Sequence, residues 1–319
     1  MSGDSHASPA LNHCENCGTP LAGPYCHKCG QHAIDYRRSF HHLAHDVLEN
    51  LFHFDGKFLV SVAWLLARPG QLTAEFNAGR RQSQVPPLRF YIFVTVLFFF
   101  GVHLLNHGHL FPIRAEAVDL IAQEVRQKAK VALDQRAAAA NQPGTTLGKR
   151  EFKVGPHSTV TFDESSPAGR VLEEKFANGE IEIPQLLEAL EHRVPTLLFL
   201  GMPVYALLLL LFFRGSGRYY IEHLVFSLHL HTWAFLAIMI GGGYLQLATL
   251  GPAWLSDLTW VGLYGWMVWY VIAAARKVYG GSWSRTIFKV SAAAILYVAA
   301  LLAIWIGIAL LTLLWLAYE

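Results

Sequence analysis

The sequence predicts a mainly α protein: a polytopic α-helical membrane bundle of about five transmembrane helices, with a small metal-binding ribbon at its N-terminus. Three observations carry this reading. Charged residues make up 15% of the chain, against about 25% in an ordinary soluble domain. The deficit is concentrated, because Leu197–Phe213 and Ala292–Leu316 hold no charged residue at all, as helices crossing hydrocarbon require. All four cysteines fall between Cys14 and Cys29 in two tight pairs, the pattern of a metal clamp rather than a disulfide framework. A formal net charge of +2 is too small to argue for nucleic acid, so none is expected as a partner. The partner that composition demands is the lipid bilayer.

Residues 1–38 are read as a cytosolic zinc ribbon. Cys14-Glu-Asn-Cys17-Gly18 and Cys26-His-Lys-Cys29-Gly30 are matched CxxCG knuckles. The glycine after each pair permits a tight turn, and two such turns bring four sulfurs around one ion in the tetrahedral arrangement of structural Zn2+. The fragment is too small to fold on a hydrophobic core, so the metal supplies its folding energy. Four thiolates leave no open coordination position, which argues against catalysis. A redox CxxC is the rival reading, and two matched knuckles make a poor thioredoxin site. His13 and His27 flank the knuckles as alternative ligands and are read as solvated. Met1–Asn12 is polar, without a basic start or apolar stretch, so no signal peptide is expected and the thiols stay in the reducing cytoplasm.

Residues 39–89 are read as amphipathic or interfacial helices. Phe40, Leu43, Ala44, Val47, Leu48 and Leu51 recur at helical spacing, opposite His41, His42, His45, Asp46 and Glu49. His41, His45 and Glu49 share a face, read as hydrated. Phe58–Ala67 is apolar but too short to span and is stopped by Arg68-Pro69-Gly70, so it is interfacial or re-entrant. A short helix over Thr73–Arg81 ends near Gly79. The spans follow: Phe90–Leu105 first, then an extracytoplasmic insert over 106–193, then a four-helix region over 194–319 with spans Pro195–Phe213, Leu224–Leu245, Leu258–Ala275 and Val290–Leu316. Gly241-Gly242-Gly243 is expected to loosen the end of the third. Within the insert, Glu116–Ala140 reads as a polar helix, Glu151–Asp163 as two short strands around Gly155-Pro156, and Ile183–His192 as a helix running into the second span.

Basic residues set the orientation. Arg80, Arg81 and Arg89 precede the first span, Arg214 and Arg218 follow the second, and Arg276, Lys277, Arg285 and Lys289 follow the fourth, whereas the loop after the third carries only Asp257. With five spans, all the basic short loops lie on the side of the N-terminus, which the positive-inside rule makes cytoplasmic. Glu319 then lies outside. The expected location is a plasma membrane, multi-pass, and the family resemblance given below makes it a bacterial inner membrane.

The third span carries Glu222, His223, Ser227, His229 and His231. Ionisable residues at membrane depth are functional candidates by default. Glu222, His223, His229 and His231 therefore form a candidate intramembrane polar site, for a proton, metal or substrate, weighed against plain helix–helix hydrogen bonding.

Three passages resemble one family. They are Tyr25-Cys26-His-Lys-Cys29-Gly30-Gln31; Phe54-Asp55-Gly56-Lys57-Phe58 with Arg68-Pro69-Gly70, Gly79-Arg80-Arg81 and Pro86; and Glu222-His223-Leu-Val-Phe226-Ser-Leu-His229. The chain resembles the bacterial domain-of-unknown-function family DUF thirty-six sixty-seven, membrane proteins with an N-terminal zinc ribbon. The middle passage is the most specific, and the insert lies outside the resemblance. The resemblance implies this same architecture and no activity.

The first reading of function is a non-enzymatic membrane protein whose cytosolic ribbon docks a protein partner or serves a regulatory or scaffolding role. It rests on the closed metal site and on the lack of a nucleotide loop, nucleophile elbow or HExxH motif. The alternatives are a small transporter or channel component using the polar residues of the third span, and a membrane-embedded enzyme with Glu222, His223 and His229 as acid–base or metal groups. The ribbon is also expected to bury little against the helices, which would insert without it.

Overall fold

The computed structural model describes residues 12–33, 56–105, 115–139, 149–154, 158–163, 167–248 and 250–318. The amphipathic helix expected over Phe40–Leu51 lies outside them. In chain order the elements are α1 (Lys57–Ala67), α2 (Gln71–Asn77), α3 (Pro87–Leu105), α4 (Ala115–Ala139), β1 (Lys149–Val154), β2 (Ser158–Asp163), α5 (Pro167–Asn178), α6 (Ile183–Glu191), α7 (Val194–Phe212), α8 (Tyr220–Ala248), α9 (Ala253–Tyr279) and α10 (Trp283–Tyr318). Five of these helices are long and apolar enough to cross a membrane: α3, α7, α8, α9 and α10. The protein is thus a mainly helical, multi-pass membrane protein. It divides into two compact units, Met1–Gly101 with Phe199–Ala299, and Val102–Leu198 with Ala300–Glu319.

The first unit is built around α8, the most deeply buried of the spans. Its aromatic residues engage two neighbouring helices. Trp233 stacks on Tyr270 of α9 at 3.9 Å. Phe235 stacks on Phe98 of α3 at 4.6 Å. Phe226 meets Tyr279 near the end of α9 at 5.5 Å. Such pairs add to the area they bury. In lipid there is little hydrophobic force between helices, so close packing and hydrogen bonds hold them. Ser227 accordingly donates to the Met202 carbonyl of α7 at 2.9 Å.

At 11 residues, α1 rises only about 17 Å and cannot cross a bilayer, as its sequence implies. Arg68-Pro69-Gly70 turns the chain into α2, whose Leu72, Thr73, Phe76 and Asn77 are buried. Gly70 sits at φ +72°, and a Cβ there would lie 2.5 Å from the Ala274 carbonyl oxygen of α9. Only glycine allows both that backbone and that approach. The Tyr270 hydroxyl donates to the carbonyl of Leu65 in the last turn of α1, and the Ser61 hydroxyl accepts from the Val85 amide at 3.2 Å.

Four of the five spans exceed the stretches marked by their apolar runs, while α7 matches its expected length. α3 begins at Pro87, a residue suited to a first helical turn. α8 begins at Tyr220 because Glu222 accepts the Tyr219 amide at 2.9 Å, filling one of the donors left open at a helix start. The glycine triplet does not loosen α8, which continues to Ala248; Gly241 instead faces the Leu263 side chain of α9, whose methyl would lie 2.6 Å from a Cβ there. α10 has 36 residues, about 54 Å of helix, so its first turns with Arg285 and Lys289 extend beyond a hydrocarbon core of about 30 Å.

In the second unit α4 packs against α5 and α6, burying Val125, Ala129 and Ala132 along one face. β1 and β2 form an antiparallel hairpin, Val154 opposite Ser158 and Lys149 opposite Asp163, where two short strands are expected. α5 has no counterpart in the sequence reading. Lys175 of α5 donates to the Leu316 carbonyl of α10 at 2.8 Å.

Candidate metal centre and buried polar row

Each knuckle closes in the same way. Gly18 N–H donates to the Cys14 carbonyl and Gly30 N–H to the Cys26 carbonyl, both at 2.8 Å. Both glycines have positive φ, +74° and +75°, which makes the glycine in CxxCG a backbone requirement. Isolated bridges pair His13 with Pro20 and Tyr25 with His32. Cys14, Cys17, Cys26 and Cys29 converge, with one sulfur of each within 4.8 Å of all the others. Cys14 Sγ lies 3.5 Å from Cys29 Sγ, and Cys17 Sγ 3.5 Å from Cys26 Sγ. A tetrahedral ion with metal–sulfur bonds near 2.3 Å needs sulfur–sulfur edges of about 3.8 Å, so the donor set fits a closed four-thiolate metal site. His13 and His27 are exposed and outside this set.

The thiols differ electrostatically. Cys17 is held down at about 6, chiefly by hydrogen bonding from the Thr19 hydroxyl and then its amide. Cys14 is pushed up to about 11 by burial. A metal that requires all four as thiolates works with the first and against the second.

The ribbon does not stand apart, which corrects the expectation that it buries little against the rest. Gln31, directly after the second knuckle, is 5% exposed. Its Nε2 donates to the Gly79 carbonyl at 2.8 Å. Its Oε1 accepts from the amides of Arg81 at 3.2 Å and Gln82 at 3.3 Å. Glu15 of the first knuckle lies 3.7 Å from the Arg81 guanidinium. Arg80 pairs with Glu75 and holds that carboxyl below its usual range. No role for Gln31 was read from the sequence, where it closes the passage Tyr25-Cys26-His-Lys-Cys29-Gly30-Gln31; its place directly after CxxCG was the available signal.

Glu222, His223 and His229 of α8 are buried and His231 is half-buried, and each of the four candidates has a protein partner. Glu222 accepts from Arg218 at 2.8 Å as well as from the Tyr219 amide. His223 Nδ1 bonds the Tyr279 hydroxyl of α9 at 2.9 Å. His229 Nδ1 bonds the Thr73 hydroxyl of α2 at 2.9 Å. His231 Nε2 bonds the Tyr297 hydroxyl of α10 at 2.7 Å, and its Nδ1 lies 2.8 Å from the Ser227 carbonyl. The row thus ties α8 to α2, α9 and α10. Among the described residues, the cysteines are the group whose ligand atoms gather as a metal site needs. The partners Thr73, Tyr279 and Tyr297 were not foreseen, since nothing in an apolar run marks which tyrosine faces a histidine.

No curated protein and no solved structure matches the chain. Residues 55–99, which hold α1, α2, the turn carrying Gly79 to Gln82 and most of α3, match the family described as Protein of unknown function (DUF3667), where the resemblance read from the sequence has its most specific passage.

Proposed function

We propose that this is a multi-pass inner-membrane protein with a structural zinc ribbon on its cytoplasmic side, and that it works as a scaffold or regulatory protein docking a cytosolic partner at the ribbon rather than as an enzyme. The observation that carries the reading is the closed set of four thiols, which fills every position of a tetrahedral ion and leaves none for a substrate. Zinc suits four sulfurs in this geometry. The polar row of α8 supports the same reading, because Glu222, His223, His229 and His231 are each engaged by a side chain or backbone group of the bundle. The transporter and enzyme readings would want those groups facing a shared wet cavity. The cytoplasmic N-terminus rests on the basic residues at alternate ends of the spans.

The test is capture from native membranes after cross-linking, comparing full-length protein with a Cys26→Ser, Cys29→Ser variant of equal abundance. A defined protein recovered stoichiometrically with the full-length protein and lost with the variant is the expected result. Identical recoveries would remove the docking role.

A further inference from the structure

We propose that the ribbon is a zinc-dependent latch on the turn between α2 and α3, with Gln31 and Glu15 as positioning residues and Gly79 as the seat. The inference rests on the zinc reading above and goes beyond it. Gln31 is fixed by the second knuckle, its carbonyl accepting from the Cys26 amide at 2.9 Å. Its side-chain amide is spent on three backbone groups of the turn: the Gly79 carbonyl and the Arg81 and Gln82 amides. The first knuckle reaches the same turn through Glu15. Gly79, at φ +86°, has no space for a Cβ, which would lie 2.4 Å from a Glu15 carboxylate oxygen.

Both knuckles therefore touch one turn, and an ion shared by Cys14, Cys17, Cys26 and Cys29 would hold both in register. With no ion the knuckles lose the folding energy that the metal supplies, and with it the common placement of Glu15 and Gln31. The turn leads into the bundle. Gly79 N–H donates to the Phe76 carbonyl at 3.0 Å, the Arg81 guanidinium lies 5.5 Å from the Phe76 ring centre, and Phe76 is buried with Val225 of α8. Loading of the ribbon is thus tied to the end of α2, inside the family-matched segment. By reciprocity, a damaged seat must weaken metal binding although it touches no ligand.

The test uses full-length protein in detergent and two readouts. The first is zinc retention against a competing chelator for wild type, Gln31→Ala and Gly79→Ala. The second is tryptic cleavage after Arg80, which is 45% exposed at its side chain, in zinc-loaded and zinc-stripped wild type. Gly79→Ala lies outside the ribbon, so its result does not depend on the ribbon tolerating a substitution. The latch requires both variants to lose zinc at least about fivefold more readily, and stripped wild type to be cut at Arg80 or Arg81 several-fold faster than loaded protein. Ordinary zinc content with unchanged retention in both variants, or equal cleavage of loaded and stripped protein, overturns the latch alone. A wild-type protein without stoichiometric zinc overturns the zinc reading and the latch with it.

Discussion

Gly70 offers the sharpest energetic test of how the α1–α2 hairpin meets α9. Three glycine-to-alanine changes separate the contributions. Each lowers the entropy of the unfolded chain alike, so that effect cancels between them. Gly215 has no positive φ and nothing within 4 Å of its would-be Cβ; Gly215→Ala should lie within about 0.5 kcal/mol of wild type. Gly217 has φ +67° but open space around it, so Gly217→Ala should cost only the left-handed backbone, about 1–2 kcal/mol. Gly70 adds a clash with backbone that cannot swing aside, the Ala274 carbonyl oxygen at 2.5 Å and Cα at 3.0 Å. Overpacking of that kind costs about 1–3 kcal/mol more, for a total of about 2–5 kcal/mol. Unfolding followed by circular dichroism in a single detergent, under reversible conditions, gives the three values. If Gly70→Ala is no worse than Gly217→Ala, the close approach of the Arg68-Pro69-Gly70 turn to α9 is wrong.

Purified protein should carry about one zinc per chain, lost in Cys26→Ser, Cys29→Ser; unchanged metal content in that variant would overturn the assignment. Reporters fused at Glu319 and after Gly155 should be active only as exported reporters, and a cytoplasmic signal at Glu319 would break the five-span topology. Tyr270→Phe removes the hydroxyl that donates to the Leu65 carbonyl and should cost about 1–3 kcal/mol in the same unfolding assay, because a buried carbonyl is left unpaired; no loss would show that this bond does not hold α1.

The spans and the knuckles were legible because their causes are local. A run such as Ala292–Leu316 must be helical in lipid whatever surrounds it, and CxxCG encodes its turn through one glycine. Element ends were less legible. The start of α8 depends on Glu222 capping a helix, yet Glu222 beside a basic loop reads as an interfacial charge. α5 escaped because Pro167–Asn178 is polar and short, so its helical period is weak beside that of the spans.

What could not be read is pairing over distance. His229 and Thr73 are 156 residues apart in the chain, Tyr270 and Leu65 205 apart, and neither contact leaves a periodic trace. The same applies to Gln31, whose three backbone partners lie about fifty residues on. All three contacts have one end in α1, α2 or the turn that follows, within the family-matched residues 55–99. The α1–α2 hairpin and its turn span nothing by themselves, since α1 and α2 are both too short. Their bonds run outward instead: to the ribbon through Gln31, to α8 through Thr73 and to α9 through Leu65. A segment so bonded constrains sequence at its contact points, Gly70 against Ala274 and Gly79 against Glu15, more tightly than a lipid-facing helix is constrained, where one large apolar residue serves as well as another. The physical demand for particular residues in this chain therefore falls on the short hairpin and its turn, and the latch and the Gly70 series probe its two ends.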